Sequence, residues 1–307
     1  MGHDQSLSRA GLLYGLGAYF LWGFLPLYFK LLTAVPPSEI VGHRIVWSVV
    51  FLAILATLWR RWPAIRAAVA TPRVLMTLTL TALLIGANWL IYIWAVLNGH
   101  VLAGSLGYYL NPLVNVLLGV VVLKERLSRA QAFAVLLAAA GVAVLATGAG
   151  PDLWISLALA FSFGLYGFFR KVAPVDSLEG LSIETALLAP LALGWVIWLA
   201  QRGEGGFGQF GLGTDTLLIL GGAVTAVPLL LFTAAAKRLP YSTLGFLQYI
   251  APSIQFLLAV LVFGEALTRT HILCFAAIWA ALAIFTFEGL RQGRAARARA
   301  RAECCTP

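Results

Sequence analysis

Glu39, His43, Arg44 and Glu184 are ionisable residues set in, or at the edge of, long apolar runs. Glu39 stands four residues before His43, so on a helix the carboxylate and the imidazole share a face and could pass a proton or form an ion pair. Glu184 offers a carboxyl group that can change protonation during a transport cycle. These four are candidates for gating or proton coupling. A plainer set of roles competes: Glu39 favoured at a helix amino terminus, Arg44 reaching outer head groups with its long stem, and Glu184 bonded to a neighbouring helix.

Uncharged polar groups form a second set. Asn88, Asn111, Asn115, Gln248 and Gln255 supply neutral donors and acceptors inside apolar runs. Trp22, Trp89, Trp94, Tyr108, Tyr109, Tyr166 and Tyr249 lie within the runs rather than only at their ends, where membrane aromatics usually gather. Together they are candidates for a substrate cavity, and an aromatic wall also attracts cations. Interhelical hydrogen bonds for the amides and ordinary packing for the rings are the alternative. Pro26, Pro112, Pro228 and Pro252 are candidate helix breaks, since proline lacks the amide proton and leaves a carbonyl free.

The elements that must hold these residues follow from composition. Only 11% of the 307 residues are charged and 61% are hydrophobic, against about 25% and about 45–50% in soluble domains. Stretches free of Asp, Glu, Lys, Arg and His run 10–29, 45–59, 74–99, 101–123, 130–151, 153–169, 185–201, 216–236, 239–264 and 272–287. Most approach the roughly 20 residues that cross a bilayer as a helix. The second, seventh and last reach that length only by taking in His43 and Arg44, Glu184, or residues past Glu288. The first run lacks a small-residue cleavage site followed by a mature domain and is expected as an uncleaved span.

Charge placement sets orientation. With the amino terminus cytoplasmic, only Lys30, Arg44, Arg202 and Arg269 fall outside, and the other 17 of the 21 Lys and Arg fall inside. The positive-inside rule then puts both termini in the cytoplasm. The net charge of +9 is directed at anionic lipid rather than nucleic acid. The tail 291–307 is expected to be disordered beyond its first turn.

One motif occurs twice. Pro112, Glu125, Leu127 and Arg129 repeat as Pro252, Glu265, Leu267 and Arg269, each 140 residues later. The shift runs without a gap from Ala95/Ala235 to Arg129/Arg269 and carries Asn115 onto Gln255; upstream, where the match is fainter, the same spacing sets Glu184 opposite Arg44. Residues 10–147 and 152–290 are therefore expected as two repeats, flanked by a cytoplasmic segment 1–9 and the basic tail 291–307. Five spans per repeat is odd, so the second repeat must be inverted. Inversion sets Arg44 and Glu184 at different depths, and no salt bridge between them is expected.

The stretches YFLWGFLPLYFK at 19–30, HRIVWS at 43–48, GANWLIYIWAV at 86–96, SLGYYLNPLVNVLLG at 105–119, AFSFGLYGFFRK at 160–171 and STLGFLQYIAPS at 242–253 resemble RarD-type members of the EamA branch of the drug/metabolite transporter superfamily. The resemblance spans nearly the whole chain. It implies an all-α membrane fold of ten helices in two inverted five-helix repeats, around a cavity bordered mainly by spans 1, 3, 4, 6, 8 and 9. It implies a solute carrier and does not specify the solute.

The expected function is a secondary transporter of the cytoplasmic membrane, exporting metabolites, amino-acid-like compounds or drugs by rocking one repeat against the other. No ATP-binding sequence is present, so uphill movement must draw on gradients. A membrane scaffold or sensor that moves nothing is one alternative. A membrane-embedded enzyme is another, disfavoured because HExxH, GxSxG, Cys/His metal spacings and a phosphate-binding loop are missing. A channel would need a ring of repeated polar groups. No cofactor, metal or nucleic-acid partner is expected, and the oligomeric state is left open.

Overall fold

The computed structural model describes residues 8–97, 100–147, 150–262 and 269–304. Glu265 and Leu267, half of the second motif copy, lie outside the described residues. The described residues are helical apart from connections: α1 (Arg9–Gly23), α2 (Leu25–Lys30), α3 (Pro37–Leu58), α4 (Trp62–Ala70), α5 (Pro72–Leu97), α6 (Val101–Val121), α7 (Arg129–Ala146), α8 (Leu153–Val172), α9 (Ser177–Arg202), α10 (Leu212–Ala236), α11 (Tyr241–Gln248), α12 (Ile250–Leu261) and α13 (Arg269–Cys304). Seven helical spans among them are long and apolar enough to cross a membrane, α1 and α2 counting together. Leu106–Val121 and Arg129–Val144 are shorter apolar helices, and the stretch 239–264 is divided between α11 and α12.

Local chemistry sets many boundaries. Pro37, Pro63 and Pro72 stand in first turns, where a missing amide proton costs nothing. Ser128 and Gln131 form a reciprocal capping box at the start of α7, backbone amide to side-chain oxygen at 2.9 and 3.2 Å. Gly203, at φ +68°, closes α9 in the left-handed region. The short helix α4 fills the connection between the second and third apolar runs and buries Ile65 and Ala68.

Two expectations are corrected. Pro112 and Pro228 do not break their helices: α6 and α10 run through them. The interruptions fall at Phe24 and Tyr249, with Pro26 and Pro252 in the first turn of the segment that follows. An interior proline removes one hydrogen bond while its neighbours hold the axis, and the turns on both sides of Pro112 pack closely on α8 and α11. The basic tail is also not disordered after one turn, since α13 continues to Cys304. Its Ala and Arg are strong helix formers.

The helices pack as a bundle. α7 lies on α13; α6 lies on α8 and α11; α3 lies on α9 and α10; α1 lies on α10 and α12; α5 lies on α8 and α9. A core containing Tyr19, Phe163, Tyr166, Phe232 and Tyr241 lies between α1, α8, α10 and α11. Large apolar residues such as Leu13, Met76, Leu136 and Leu191 face outward, as a surface solvated by lipid requires.

Candidate substrate cavity and the closed end of the bundle

A cavity of about 680 Å³ lies against this core, with Tyr19 and Phe163 belonging to both. Its lining comes from α1 and α2, the start of α3, the end of α5, the start of α6, the middle of α8 and α10, and α11 to α13. Thr33 and Val35, in the α2–α3 connection, belong to the lining, so the cavity reaches that end of the bundle. Trp22, Asn88, Trp89, Tyr108, Tyr109, Asn111, Gln248 and Gln255 all line it, as do Pro26, Pro252 and Arg44.

Arg44 is held from two sides. Its Nε donates to Thr225 Oγ1 at 2.7 Å, and the Thr225 hydroxyl donates to the Gly221 carbonyl at 2.7 Å. The guanidinium carbon lies 5.4 Å from the centroid of Phe29 and 5.8 Å from that of Trp89, within cation–π range. Thr225 carried no signal in the sequence beyond being a polar residue in an apolar run.

Most of the amides tie helices together. Asn88 donates to Leu159 O and Ser162 Oγ, both at 2.9 Å, joining α5 to α8. Asn115, outside the cavity lining, donates to Gln248 Oε1 at 2.8 Å, joining α6 to α11. Gln255 donates to Trp22 O at 3.0 Å. That carbonyl is four residues before Pro26, whose missing amide proton leaves it without its helical partner. The Asn111 side-chain oxygen is buried without a hydrogen-bond partner.

The remaining ring candidates lie elsewhere. Tyr166 is fully buried among Phe163 and Phe232. Tyr249 packs with Phe246 in the cluster between α6, α7 and α13. Trp94 stacks on His100 and tilts against Trp154.

The acids are structural ties where they stand. Glu39 accepts from the backbone amides of Gly206 and Phe207 at 2.7 and 3.1 Å, fastening the α9–α10 connection. His43 Nε2 lies 3.6 Å from Glu39 Oε1, its ring stacks on Phe207, and its Nδ1 accepts from Trp47 Nε1 at 3.2 Å. Glu184 is buried, accepts from Thr81 and Tyr166, and lies 3.5 Å from Arg170 Nε. It touches Arg170 and not Arg44, as the depth argument expected.

The end of the bundle opposite the cavity is shut by ties between distant parts of the chain. Glu125 accepts from the amides of Tyr241 and Ser242 and from the Ser242 hydroxyl, capping α11. Arg61 donates to Asp176 and Glu179. Lys171 Nζ donates to the carbonyls of Ala236 and Leu239, and Lys237 Nζ donates to the carbonyl of Ala173 at 2.7 Å. Each lysine thus sits at the carboxyl end of the other's helix, where a cation is favoured. Burial lowers the pKa of Lys237 first, Arg170 and Arg238 add to this, and Asp176 and Glu179 oppose it. Glu179 was findable, standing 140 residues after Glu39. Arg170 and the two lysines were hidden among ordinary basic residues at run ends.

Comparison with known proteins agrees with this architecture. Residues 9–147 match the EamA-like transporter family. The chain is 50% identical to an uncharacterized transporter of Vibrio cholerae serotype O1 over 97% of its own length and 98% of that protein's. It is 49% identical to Protein RarD of Streptomyces exfoliatus over 99% and 96%. A solved crystal structure at 22% identity superposes with a TM-score of 0.69, covering 92% of this chain and 99% of the other, and bears on the fold alone. The chain therefore belongs to the RarD-type branch of the EamA transporter family and is a multi-pass membrane transporter.

Proposed function

We propose that this transporter is a secondary carrier that exports small organic solutes across the cytoplasmic membrane by alternating access between two inverted five-helix repeats. One observation carries the reading: a cavity lined from both halves of the sequence reaches one end of the bundle, while the other end is shut by ties between those halves. Those ties are hydrogen bonds and ion pairs at helix ends, groups that water can satisfy once they part.

Packing supports the inverted repeat. Exchanging the sequence halves turns the α1–α10 contact into α8–α5, α6–α8 into α12–α1, and α3–α10 into α9–α5. The α3–α9, α6–α11 and α7–α13 contacts are carried onto themselves. This exchange fits a pseudo-two-fold relation between repeats at 10–147 and 152–290, and an odd number of spans in each would set its axis in the membrane plane. The distribution of Lys and Arg assigns the shut end, both termini and the tail to the cytoplasm, which makes the arrangement outward-open. The cavity-lining rings and amides then meet the solute, and the Glu39–His43 and Arg170–Glu184 pairs are the groups on which gating or proton coupling would act.

Counterflow and efflux of a labelled metabolite and drug panel from proteoliposomes, with and without an imposed pH gradient, test the proposal. Saturable flux is expected, abolished when a Leu123→Cys/Leu239→Cys pair is cross-linked across the shut end. A complete absence of flux for the panel would overturn the carrier and favour a scaffold or sensor.

A further inference from the structure

We infer that the cavity takes an organic anion, a carboxylate on an apolar body, with Arg44 as its anchor; the inference rests on the cavity being the carrier's substrate site. Among the described residues that line the cavity, Arg44 is the one charged group. No carboxylate lies within 4 Å of it among the described residues, whereas the fully buried Arg170 has Glu184 beside it. The same fold thus supplies a counter-ion to a guanidinium enclosed in the core and none to the one that faces the cavity.

The nearest acid along the chain is not available. Glu39 stands five residues earlier on α3, about 140° around the helix, and its oxygens are taken by the amides of Gly206 and Phe207. The hydroxyl of Thr225 occupies Arg44 Nε, and no hydrogen bond reaches the two terminal nitrogens among the described residues. Those two nitrogens form one edge of the planar fork that matches a carboxylate with two parallel hydrogen bonds.

The rings serve Arg44 before they serve a ligand. Phe29 and Trp89 already face its charge, so the aromatic wall that suggested a cationic ligand is partly spent on a resident cation. A cationic solute would meet Arg44 directly. Trp22, Ile85, Leu106, Phe163 and Leu229 give an apolar body its surroundings. In such a medium a guanidinium without a counter-ion is costly, and an incoming oxyanion removes that cost.

The test uses purified full-length protein in detergent and reads the ligand-induced rise in melting temperature, a measurement that does not require transport. The probes are phenylacetate, phenylacetamide and phenethylamine, with octanoate and octanamide as an aliphatic pair. Carboxylates are expected to bind about ten to a hundred times tighter than their amides, and the amine weakest. Arg44→Gln should bring the carboxylate-to-amide ratio near one, and Arg44→Lys should keep part of the preference. Equal binding of carboxylate and amide by the wild type, or an undiminished preference in Arg44→Gln, overturns the anion site. So does failure of both carboxylates to bind up to about 10 mM. If Arg44→Gln does not fold, the wild-type ranking alone decides. A carboxylate preference without flux in liposomes supports the anion site and defeats the carrier; flux of neutral or cationic solutes without the preference does the reverse.

Discussion

The carboxylate of Glu125 takes both the backbone amide and the hydroxyl of Ser242, at 2.9 and 2.7 Å. Lys124, at φ +59°, turns the chain after α6 and aims Glu125 back at the bundle. Gly119 leaves room for it, because a Cβ there would lie 2.7 Å from Glu125 Oε2. Three local features of the α6 terminus thus combine to close a contact 117 residues away in sequence.

Glu125→Ala leaves the first amides of α11 without their acceptor. A loss of about 1–2 kcal/mol of stability is expected, with faster maleimide labelling of Leu239→Cys in a background lacking Cys304 and Cys305. Gly119→Ala should act in the same direction by displacing the carboxylate. In the double variant the two effects should not add, since both remove one contact. Additive losses would mean that Glu125 and Gly119 work independently.

Gln255→Leu strands the Trp22 carbonyl, whose helical partner Pro26 does not supply. We expect a drop of about 0.5–1.5 kcal/mol, the net worth of one hydrogen bond at a half-buried carbonyl. Pro26→Ala returns an amide proton to that turn, so Pro26→Ala/Gln255→Leu should be less damaged than Gln255→Leu alone. Denaturation midpoints for the three variants decide the matter.

Arg170→Met leaves the buried Glu184 without its cation, and about 3–5 kcal/mol of destabilisation is expected. Arg170→Met/Glu184→Leu should recover part of it, because an apolar pair carries no stranded charge. Expression and thermal stability in detergent provide the readout. A double variant worse than the single one would show that the two side chains do not act as a pair.

Lys171→Met and Lys237→Met each remove a tie between the ends of α8 and α10. Either should loosen the shut end and, under the proposed alternating access, shift the protein toward the opposite opening, seen as faster labelling at Leu239→Cys. Labelling at a cysteine replacing Thr33, in the α2–α3 connection, should slow in parallel. Equal change at both ends would indicate general loosening instead.

Much of this arrangement was visible in the residues. Charge-free runs located the helices because apolar length is a property of contiguous sequence, and the 140-residue shift marked related positions in the two halves. The roles of individual polar groups were not visible. Gln255 lines the cavity as its type suggests, yet its bond to the Trp22 carbonyl that Pro26 leaves unpaired is visible only in the fold, and so is the α9–α10 connection that Glu39 holds while it lies beside His43. Proline positions misled for a similar reason. Whether the chain bends at a proline depends on what packs on the freed turn, so Pro112 sits in a continuous helix while α2 and α12 begin just before Pro26 and Pro252.

The amino-acid order by itself determined that the chain lives in a bilayer as apolar helices, that one motif recurs 140 residues on, and which residues were too polar to be there without a reason. Tertiary structure decided which reason applied to each. Hydropathy, capping and charge bias depend on neighbours a few positions away, whereas the partner of a buried polar group is chosen by helices that meet only after packing. Arg170 and Arg44 carry the same guanidinium; one was folded against a carboxylate and the other toward an open cavity.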